Sequence, residues 1–280
     1  MKQYGLLGQK IEYSLSPAMQ NAAFKKMAMD AEYGIFDLEP KAADEFLNRL
    51  IRSDIQGVNV TVPYKLKAFE FIKKFGTLDK EAEMLGAINT IVVDNGSLFG
   101  YNTDVAGFSK SLQVDLKFNP RMKNILICGA GGAGTALAIK LARAAERIFI
   151  TDTDADKTKA FTEKFFKYYG TEKLSLVPGG DAELEKAVKA SQLLINATPS
   201  GMKEGEFPVK PEYLHKDISV YDLIYKGNTP LVKAALSMGL NAVNGLGMLL
   251  YQGARSFELW TKKRAPITTM KQALMDALAS

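Results

Sequence analysis

The amino-acid sequence predicts an α/β fold with two domains, one of them built on a parallel sheet. The chain has 280 residues, of which 47% are hydrophobic, and this length supports two modest cores more readily than one. Between residues 125 and 196, short apolar runs alternate with helical patterns, which is typical of right-handed βαβ units. A glycine-rich turn joins the first of these runs to its helix, as in folds that bind phosphate groups.

The N-terminal segment predicts short strands alternating with helices. The predicted elements are strands at 4–7, 11–13 and 31–37 and helices at 16–27 and 41–51. Ser16 precedes Pro17, a pair typical of an N-cap followed by proline at the first helical position. Capping explains Ser16 and gives no role to Ser14.

The next strand, at 55–62, alternates its side chains residue by residue. Its valines are predicted on one face, and Asn59 and Thr61 on the other. Pro63 ends the strand, and Lys65 begins a helix just beyond it. Open α/β sheets place their ligand chemistry at the carboxyl ends of strands, so Lys65 is a candidate functional residue. A solvated lysine at a helix start is the alternative.

A β-hairpin then leads to a second candidate, Asp104. The sequence D-N-G at 94–96 is typical of a tight hairpin turn between the strand at 91–93 and its return through 98–100. Asp104 stands at the entry to a helix predicted at 105–116. N-capping and a functional role are both open explanations of its carboxylate.

The glycine-rich turn predicts a Rossmann-type dinucleotide-binding domain. It consists of Gly129, Gly131, Gly132, Ala133 and Gly134, which follow the apolar strand 125–128. The first glycine permits the turn, the middle ones let the backbone approach a pyrophosphate, and the last lets the helix pack on its strand. The helix N-terminus offers free N–H groups to the anion. A glycine turn that serves packing alone is the alternative.

The second strand of this domain ends at Asp152, about where a ribose-binding carboxylate is expected. The later elements continue the alternation. They are helices at 134–144, 157–168, 183–190, 248–260 and 268–278, a further helix that begins at 229–230, and strands at 148–151, 174–177, 193–196, 219–223 and 241–244.

Composition narrows the classes of partner. The net charge is +5 and the isoelectric point is about 9.0, but the basic residues are scattered, which favours an anionic small molecule over nucleic acid. Neither a signal peptide nor a membrane span is evident, so a soluble, cytoplasmic protein with no membrane partner is expected. The single cysteine, Cys128, is expected to be a buried hydrophobe, and the single histidine, His215, a solvated loop residue. No metal site is expected.

Together these segments resemble the shikimate dehydrogenase family, including its quinate/shikimate branch, over nearly the whole chain. The motifs that carry the resemblance are S-L-S-P at 14–17, N-V-T-V-P-Y-K at 59–65, G-A-I-N-T at 86–90, G-Y-N-T-D at 100–104, G-A-G-G-A-G at 129–134, N-A-T-P-S-G-M at 196–202, Y-D-L-I-Y at 221–225 and G-M-L-L-Y-Q-G-A at 247–254.

The resemblance implies reversible reduction of 3-dehydroshikimate to shikimate by a nicotinamide cofactor, in aromatic amino acid biosynthesis. It implies a substrate domain of residues 1–103 and 246–280 around a nucleotide domain of residues 104–245. It assigns Lys65 and Asp104 to the reacting oxygen. It assigns to the substrate Ser14, Ser16, Thr61, Asn89, Tyr225 and Gln252, and to the cofactor the glycine turn with Asp152, Thr153, Lys157, Thr198 and Gly247.

The chemistry expected of the Lys65 and Asp104 pair also follows from the charges alone, independently of the family. Hydride addition to a ketone builds negative charge on oxygen, so a proton donor or a cation within hydrogen-bond reach lowers the barrier. A free lysine has a pKa of about 10.4, and a role as acid and base requires desolvation that outweighs the nearby carboxylate. Proton donor and orienting cation both remain open for Lys65.

The cofactor segment departs from the family pattern. Members that use NADP resemble N-R-T-x-x-R at the end of the second strand, with arginines that receive the 2′-phosphate. Here residues 152–157 read D-T-D-A-D-K, and only Lys157 keeps a positive charge. Carboxylates repel a phosphate and accept hydrogen bonds from a ribose 2′-OH, so Asp152 and Asp154 predict a preference for NAD, with NADP as the other candidate. A solvated helix start is the alternative explanation of the acids.

Several functions remain open beside shikimate dehydrogenase. NAD use favours a quinate/shikimate dehydrogenase of dual specificity, whereas the two serines and the N-V-T-V-P segment favour shikimate. A different Rossmann oxidoreductase has no reason to carry Ser14, Lys65, Asp104 and Gln252 together. A catalytically silent nucleotide-binding regulator is expected to have lost Lys65 or Asp104, and both are present. A monomer and a homodimer are both compatible with the sequence.

Overall fold

The computed structural model describes residues 1–170 and 172–279. The strands are β1 (Lys2–Gly8), β2 (Ala31–Asp37), β3 (Ile55–Val60), β4 (Thr77–Leu78), β5 (Thr90–Asp94), β6 (Ser97–Tyr101), β7 (Asn124–Cys128), β8 (Arg147–Thr151), β9 (Leu174–Leu176), β10 (Leu193–Asn196), β11 (Ser219–Asp222) and β12 (Ala242–Val243). The helices are α1 (Ser16–Lys26), α2 (Pro40–Leu50), α3 (Lys65–Phe75), α4 (Lys80–Leu85), α5 (Asp104–Val114), α6 (Gly132–Leu141), α7 (Ala155–Tyr169), α8 (Asp181–Lys189), α9 (Pro230–Ser237), α10 (Leu246–Thr261) and α11 (Ile267–Ala279).

The chain divides into two compact units. The first comprises Met1–Gly107 and the chain from Leu250 onward, and the second comprises Phe108–Leu249. Helices α5 and α10 each contribute to both units. The domain boundaries predicted from the motifs, 103/104 and 245/246, fall at the starts of these helices. The two units divide about one helical turn later, after Gly107 and after Leu249.

The first unit contains a mixed six-stranded sheet in the order β2-β1-β3-β5-β6-β4. Strand β1 pairs in parallel with β2 and β3, whereas β5 is antiparallel to both β3 and β6. In β3, Val58 and Val60 are fully buried in the core cluster as predicted, but Asn59 on the other face is buried too. The strand ends at Val60 rather than at residue 62, and Val62, which was predicted on the valine face, is 69% exposed. The predicted hairpin turn uses positive φ angles at Asn95 and Gly96, as type I′ geometry requires.

The second unit contains a fully parallel six-stranded sheet in the order β12-β11-β10-β7-β8-β9. Numbered from β7, this is the order 3-2-1-4-5-6 of dinucleotide-binding folds, which reverses between β7 and β10. The predicted fold class, a Rossmann-type parallel-sheet domain with a second α/β domain, is confirmed. In such folds ligands bind beyond the carboxyl ends of the strands at the reversal.

Some local predictions are wrong. Residues 11–13 form a turn rather than a strand, and the short elements β4 and α4 were not predicted. Helix α4 has only six residues, but its N-cap is recognisable, because Asp79 accepts a hydrogen bond from the N–H of Ala82 at 2.8 Å. Among the described residues, no helix combines the length and the apolar character needed to cross a membrane.

The single cysteine is buried in the core, and the single histidine is hydrogen-bonded to the backbone. Cys128 is 2% exposed, and burial raises the pKa of its thiol to about 12, so it remains protonated at neutral pH. His215 is not the solvated loop residue that was predicted. Its Nε2 lies 3.1 Å from the carbonyl oxygens of both Val188 and Ser191, which ties the loop to the end of α8.

Candidate active site

Lys65 and Asp104 form an ion pair in the first unit. The Lys65 Nζ donates to the Asp104 Oδ2 at 2.5 Å, and the side chains are 34% and 23% exposed. Each is the first residue of its helix, α3 and α5. The capping role that the sequence left open for Asp104 belongs instead to Asn102, whose Oδ1 accepts from the Asp104 N–H at 3.1 Å. The Asp104 carboxylate is therefore available to the lysine.

Asn89 orients the second oxygen of that carboxylate. Its Nδ2 donates to the Asp104 Oδ1 at 2.9 Å and to the Thr103 Oγ1 at 2.9 Å, with a longer contact of 3.4 Å to the Gln252 Oε1. Its Oδ1 accepts from the Thr103 N–H at 2.7 Å, and the residue is 3% exposed. Asn89 is thus held rigidly, and Lys65 and Asn89 bind opposite oxygens of one carboxylate.

A buried polar network lies behind Asn89, and sequence reasoning missed it. The Asn59 Nδ2 donates to the Ser256 Oγ at 2.9 Å, the Thr90 Oγ1 at 3.0 Å and the Asn89 carbonyl oxygen at 3.1 Å. The hydroxyls of Thr90, Thr103 and Ser256 lie within 3.2 Å of one another. Asn59 was predicted on the polar strand face, but its partners on β5 and α10 are distant in sequence. Because each group has a partner, the network supports a rigid site.

In the S-L-S-P segment, the serine that supports the turn is not the one that was predicted. The N-cap of α1 is Leu15, without a capping side chain, and the Ser14 Oγ accepts from the Ser16 N–H at 3.3 Å. The Ser16 hydroxyl interacts with the buried phenol of Tyr33, which in turn donates to the Asn59 Oδ1 at 2.9 Å. Burial raises the pKa of Tyr33. Ser16 is therefore connected to the same polar network as Asn89.

The glycine loop of the second unit joins β7 to α6 at the reversal of strand order. Gly129 has a φ of 105°, and a Cβ there would lie 2.8 Å from the Ala197 carbonyl oxygen. A Cβ on Gly134 would collide with the Gly129 carbonyl oxygen. No heavy atom lies within 4 Å of a Cβ built on Gly131 or Gly132. The first and last glycines are required by packing, whereas the middle ones border open space.

The acidic segment after β8 holds its own turn together. The Asp152 Oδ2 accepts from the Ala130 N–H of the glycine loop at 2.8 Å, and its Oδ1 accepts from the Asp154 N–H at 2.9 Å. Asp154 is the N-cap of α7 and accepts from the N–H groups of Asp156 and Lys157. These backbone bonds and the Lys157 Nζ, 3.3 Å from the Asp154 Oδ2, lower the pKa of Asp154.

The other predicted residues lie as follows. Thr61 follows β3 and packs its methyl group near Gly8, and Gln252 lies on α10 in the first unit. Thr198 and Tyr225 follow β10 and β11 in the second unit. The Thr198 hydroxyl donates to the Asn196 Oδ1 at 2.7 Å and accepts from the Ser200 N–H at 3.1 Å, so it serves its own loop.

Two further predicted residues complete the set. Gly247 packs against the Ser111 hydroxyl and the Asp115 carboxylate of α5, so its lack of a side chain is explained by helix packing. Thr153 is exposed in the turn before α7. Within residues 1–170 and 172–279, no group of three His, Cys, Asp or Glu side chains is arranged to hold a metal ion.

Family models match both ends of the chain. Residues 6–91 match the shikimate dehydrogenase substrate binding domain, and residues 245–275 match the shikimate 5′-dehydrogenase C-terminal domain. A relative from Methanopyrus kandleri, named shikimate dehydrogenase (NADP(+)), is 38% identical over 98% of this chain and 95% of its own length.

Solved structures give the same result. A shikimate dehydrogenase in complex with NADP+ superposes with a TM-score of 0.89 at 36% identity, covering 100% of this chain and 96% of the other. A shikimate 5-dehydrogenase from Listeria monocytogenes, in complex with shikimate and NAD, gives a TM-score of 0.88 at 33% identity, covering 98% and 96%.

The prediction that this chain prefers NAD is wrong. It is contradicted by the NADP(+) in the name of the M. kandleri relative and by the NADP+ in the first of these structures. The geometry gives the physical reason. The carboxylates of Asp152 and Asp154 are engaged with backbone N–H groups, and Asp154 caps α7. Asp154 is therefore explained as the start of α7, the alternative that the sequence left open, and Asp152 ties this turn to the glycine loop.

Proposed function

The chain belongs to the shikimate dehydrogenase family, and from that premise we propose that it catalyses the reversible, NADP-dependent reduction of 3-dehydroshikimate to shikimate. The observation that supports this proposal most directly is the pair formed by Lys65 and Asp104, whose carboxylate is held by Asn89 on its other oxygen. The chain thus carries a fixed cation in a partly exposed position, where it can stabilise the negative charge that develops when a ketone is reduced.

The residues proposed to bind the substrate suit an anionic, hydroxylated molecule. Ser14 and Ser16 offer hydroxyl groups to a carboxylate, and Thr61, Asn89 and Gln252 offer hydroxyl and amide groups to ring hydroxyls. Tyr225, from the loop after β11, belongs to the same proposed set. Because a site built to hydrogen-bond hydroxyl groups rejects analogues that lack them, these residues also support selectivity.

The proposed roles follow from the charges. The dinucleotide, when bound, supplies hydride to the carbonyl carbon or accepts it in the reverse direction. The Lys65 ammonium stabilises the negative charge that develops on the substrate oxygen. Asp104 keeps the ammonium oriented, and Asn89 keeps the carboxylate of Asp104 in place.

The dinucleotide is proposed to bind the second unit. Gly131, Gly132 and the N-terminus of α6 border the open space suited to the pyrophosphate. We assign the 2′-phosphate to Lys157, in the first turn of α7, and to the exposed Thr153, just before that helix. The dipole of α7 also favours an anion at this end of the helix.

Initial rates in both directions test the proposed function. We expect shikimate with NADP to give the highest kcat/KM among four pairings, in which shikimate and quinate are each combined with NADP and NAD. Comparable rates with quinate would instead support dual specificity. Absence of turnover in every pairing, in a folded preparation, would reject the proposal.

Replacement of Lys157 by alanine tests the 2′-phosphate site. We expect KM for NADP to rise about tenfold with little change in kcat, because one charge-assisted interaction is lost. KM for NAD should stay within about twofold. The matched control is Lys159→Ala, an exposed lysine on the same helix, for which neither value should change. Equal effects of the two substitutions on KM for NADP would contradict the assignment.

A further inference from the structure

Asp222 is a fully buried carboxylate at the end of β11, and it bonds both to the loop after its own strand and to the last residue of β10. It accepts from the Ile224 N–H at 3.0 Å and from the Thr229 Oγ1 at 2.7 Å, both in or bordering the loop after its own strand. Both of its oxygens also lie 3.1 Å from the Asn196 Nδ2, on the neighbouring strand β10. Burial raises the pKa of this carboxyl group, so keeping it here carries an energetic cost.

Asn196 passes the effect of Asp222 to the loop after β10. Because its Nδ2 faces the carboxylate, its Oδ1 faces the other way and accepts from the Thr198 N–H at 3.0 Å and the Thr198 Oγ1 at 2.7 Å. The same Nδ2 donates to the Ser200 carbonyl oxygen at 2.9 Å. An amide turned by 180° would place its oxygen against the Asp222 carboxylate and the Ser200 carbonyl oxygen, and its NH₂ group against the Thr198 N–H. The carboxylate therefore selects one conformation for residues 197–200.

That loop borders the proposed dinucleotide site. Strands β7 and β10 are neighbours at the reversal of strand order, and the backbone at Ala197 is close enough to Gly129 to exclude a Cβ there. The Ala197 N–H also donates to the Cys128 carbonyl oxygen at 2.8 Å, directly before the glycine loop. A shift of residues 197–200 therefore changes the wall of the space in which the dinucleotide is proposed to bind.

We propose that Asp222 is a positioning residue for the dinucleotide: through the amide of Asn196 it holds the loop at 197–200 against the glycine loop in the conformation that binds NADP. The inference rests on the proposed function. It assigns to Asp222 an electrostatic role that an isosteric amide fills only in part. In Asp222→Asn, one of the two oxygens that face the Asn196 Nδ2 at 3.1 Å becomes an NH₂ group, so that a donor faces a donor there.

Direct binding of NADPH, followed by its fluorescence, tests the proposal. We expect Asp222→Asn to raise the Kd about tenfold, since the Asn196 NH₂ then faces an NH₂ group where it faced a carboxylate oxygen. Asn196→Ala breaks the same link from its other end, and we expect the double variant Asp222→Asn with Asn196→Ala to bind no more weakly than the weaker of the two single variants. Ser191→Ala, which removes another buried hydrogen bond of this unit, to the Ala187 carbonyl oxygen, should leave the Kd unchanged.

The outcomes distinguish a failure of the proposed function from a failure of the role proposed for Asp222. Wild-type protein that fails to bind NADPH would reject the proposed function, and this inference with it. Wild-type binding together with an unchanged Kd in Asp222→Asn, or effects of the two substitutions on the Kd that add in the double variant, would overturn the inference alone. Urea unfolding of each variant checks that the protein is folded. If Asp222→Asn does not fold, Asn196→Ala breaks the same link, and an unchanged Kd there would equally overturn the inference.

Discussion

Replacement of Lys65 by methionine is expected to lower kcat/KM for shikimate oxidation by about 10³-fold. The loss corresponds to about 4 kcal/mol of transition-state stabilisation. Methionine keeps the unbranched chain and removes the ammonium group that pairs with Asp104. Since the pair is partly exposed, the free energy of unfolding should change by less than about 1 kcal/mol. Steady-state rates and urea unfolding of the same preparation measure both quantities.

Lys67→Met is a closely matched control. Lys67 lies on the same helix, its side chain is also 34% exposed, and its Nζ forms an ion pair with the Asp44 Oδ1 at 2.8 Å. The two substitutions therefore remove the same charge from similar surroundings. We expect Lys67→Met to retain kcat/KM within about twofold of wild type. A comparable loss in both variants would show that the effect comes from net charge or from damage to α3, and not from a catalytic role of Lys65.

Lys65→Arg separates the two roles that the sequence left open for this lysine. Arginine keeps the positive charge but has a pKa above about 12 and does not exchange its proton at neutral pH. If Lys65 only orients and stabilises, we expect the arginine variant to retain about a tenth or more of the wild-type kcat. If Lys65 donates the proton, kcat should fall as far as in Lys65→Met, while binding of shikimate is preserved.

The parts of the fold that the sequence predicted best are those whose signals are local. The strand, glycine turn and helix at β7 and α6 follow one another in the chain, and the acid at the end of β8 is read from the same segment. Periodicity likewise located β3 and α3, and so the position of Lys65. The order of the strands in each sheet is not a local property, and the sequence constrained it only through the resemblance to a family.

The errors arise where a polar group had several possible partners. Ser16 looked like the cap of α1, yet Ser14 accepts the N–H bond, and Asn102 rather than Asp104 supports the start of α5. The NAD prediction failed for the same reason. The sequence reveals the negative charge of Asp152 and Asp154 but not the backbone N–H groups that they bind. Residue types specify which bonds a side chain can form, and tertiary structure decides which it forms.

Two glycines of the loop should respond in opposite ways to the same substitution. Gly134→Ala places a methyl group against the Gly129 backbone carbonyl, which cannot move without distorting the turn. We expect it to lower the free energy of unfolding by about 3 kcal/mol, at the upper end of overpacking effects. Gly131 is the N-cap of α6, has a φ of −69° and borders open space. Gly131→Ala should therefore cost less than about 1 kcal/mol, the loss of a moderate N-cap.

For the binding of NADPH we expect the reverse order. Among variants that fold, Gly131→Ala should weaken binding more than Gly134→Ala does. The methyl group of Gly131→Ala occupies the space proposed for the pyrophosphate, so we expect its Kd to rise at least 30-fold, or about 2 kcal/mol. Gly34→Ala, in β2 of the other unit, also meets no heavy atom within 4 Å and is the matched control, with Kd and stability both unchanged. A stable Gly131→Ala protein that binds NADPH normally would remove the reason for a glycine there, because the fold itself does not require one.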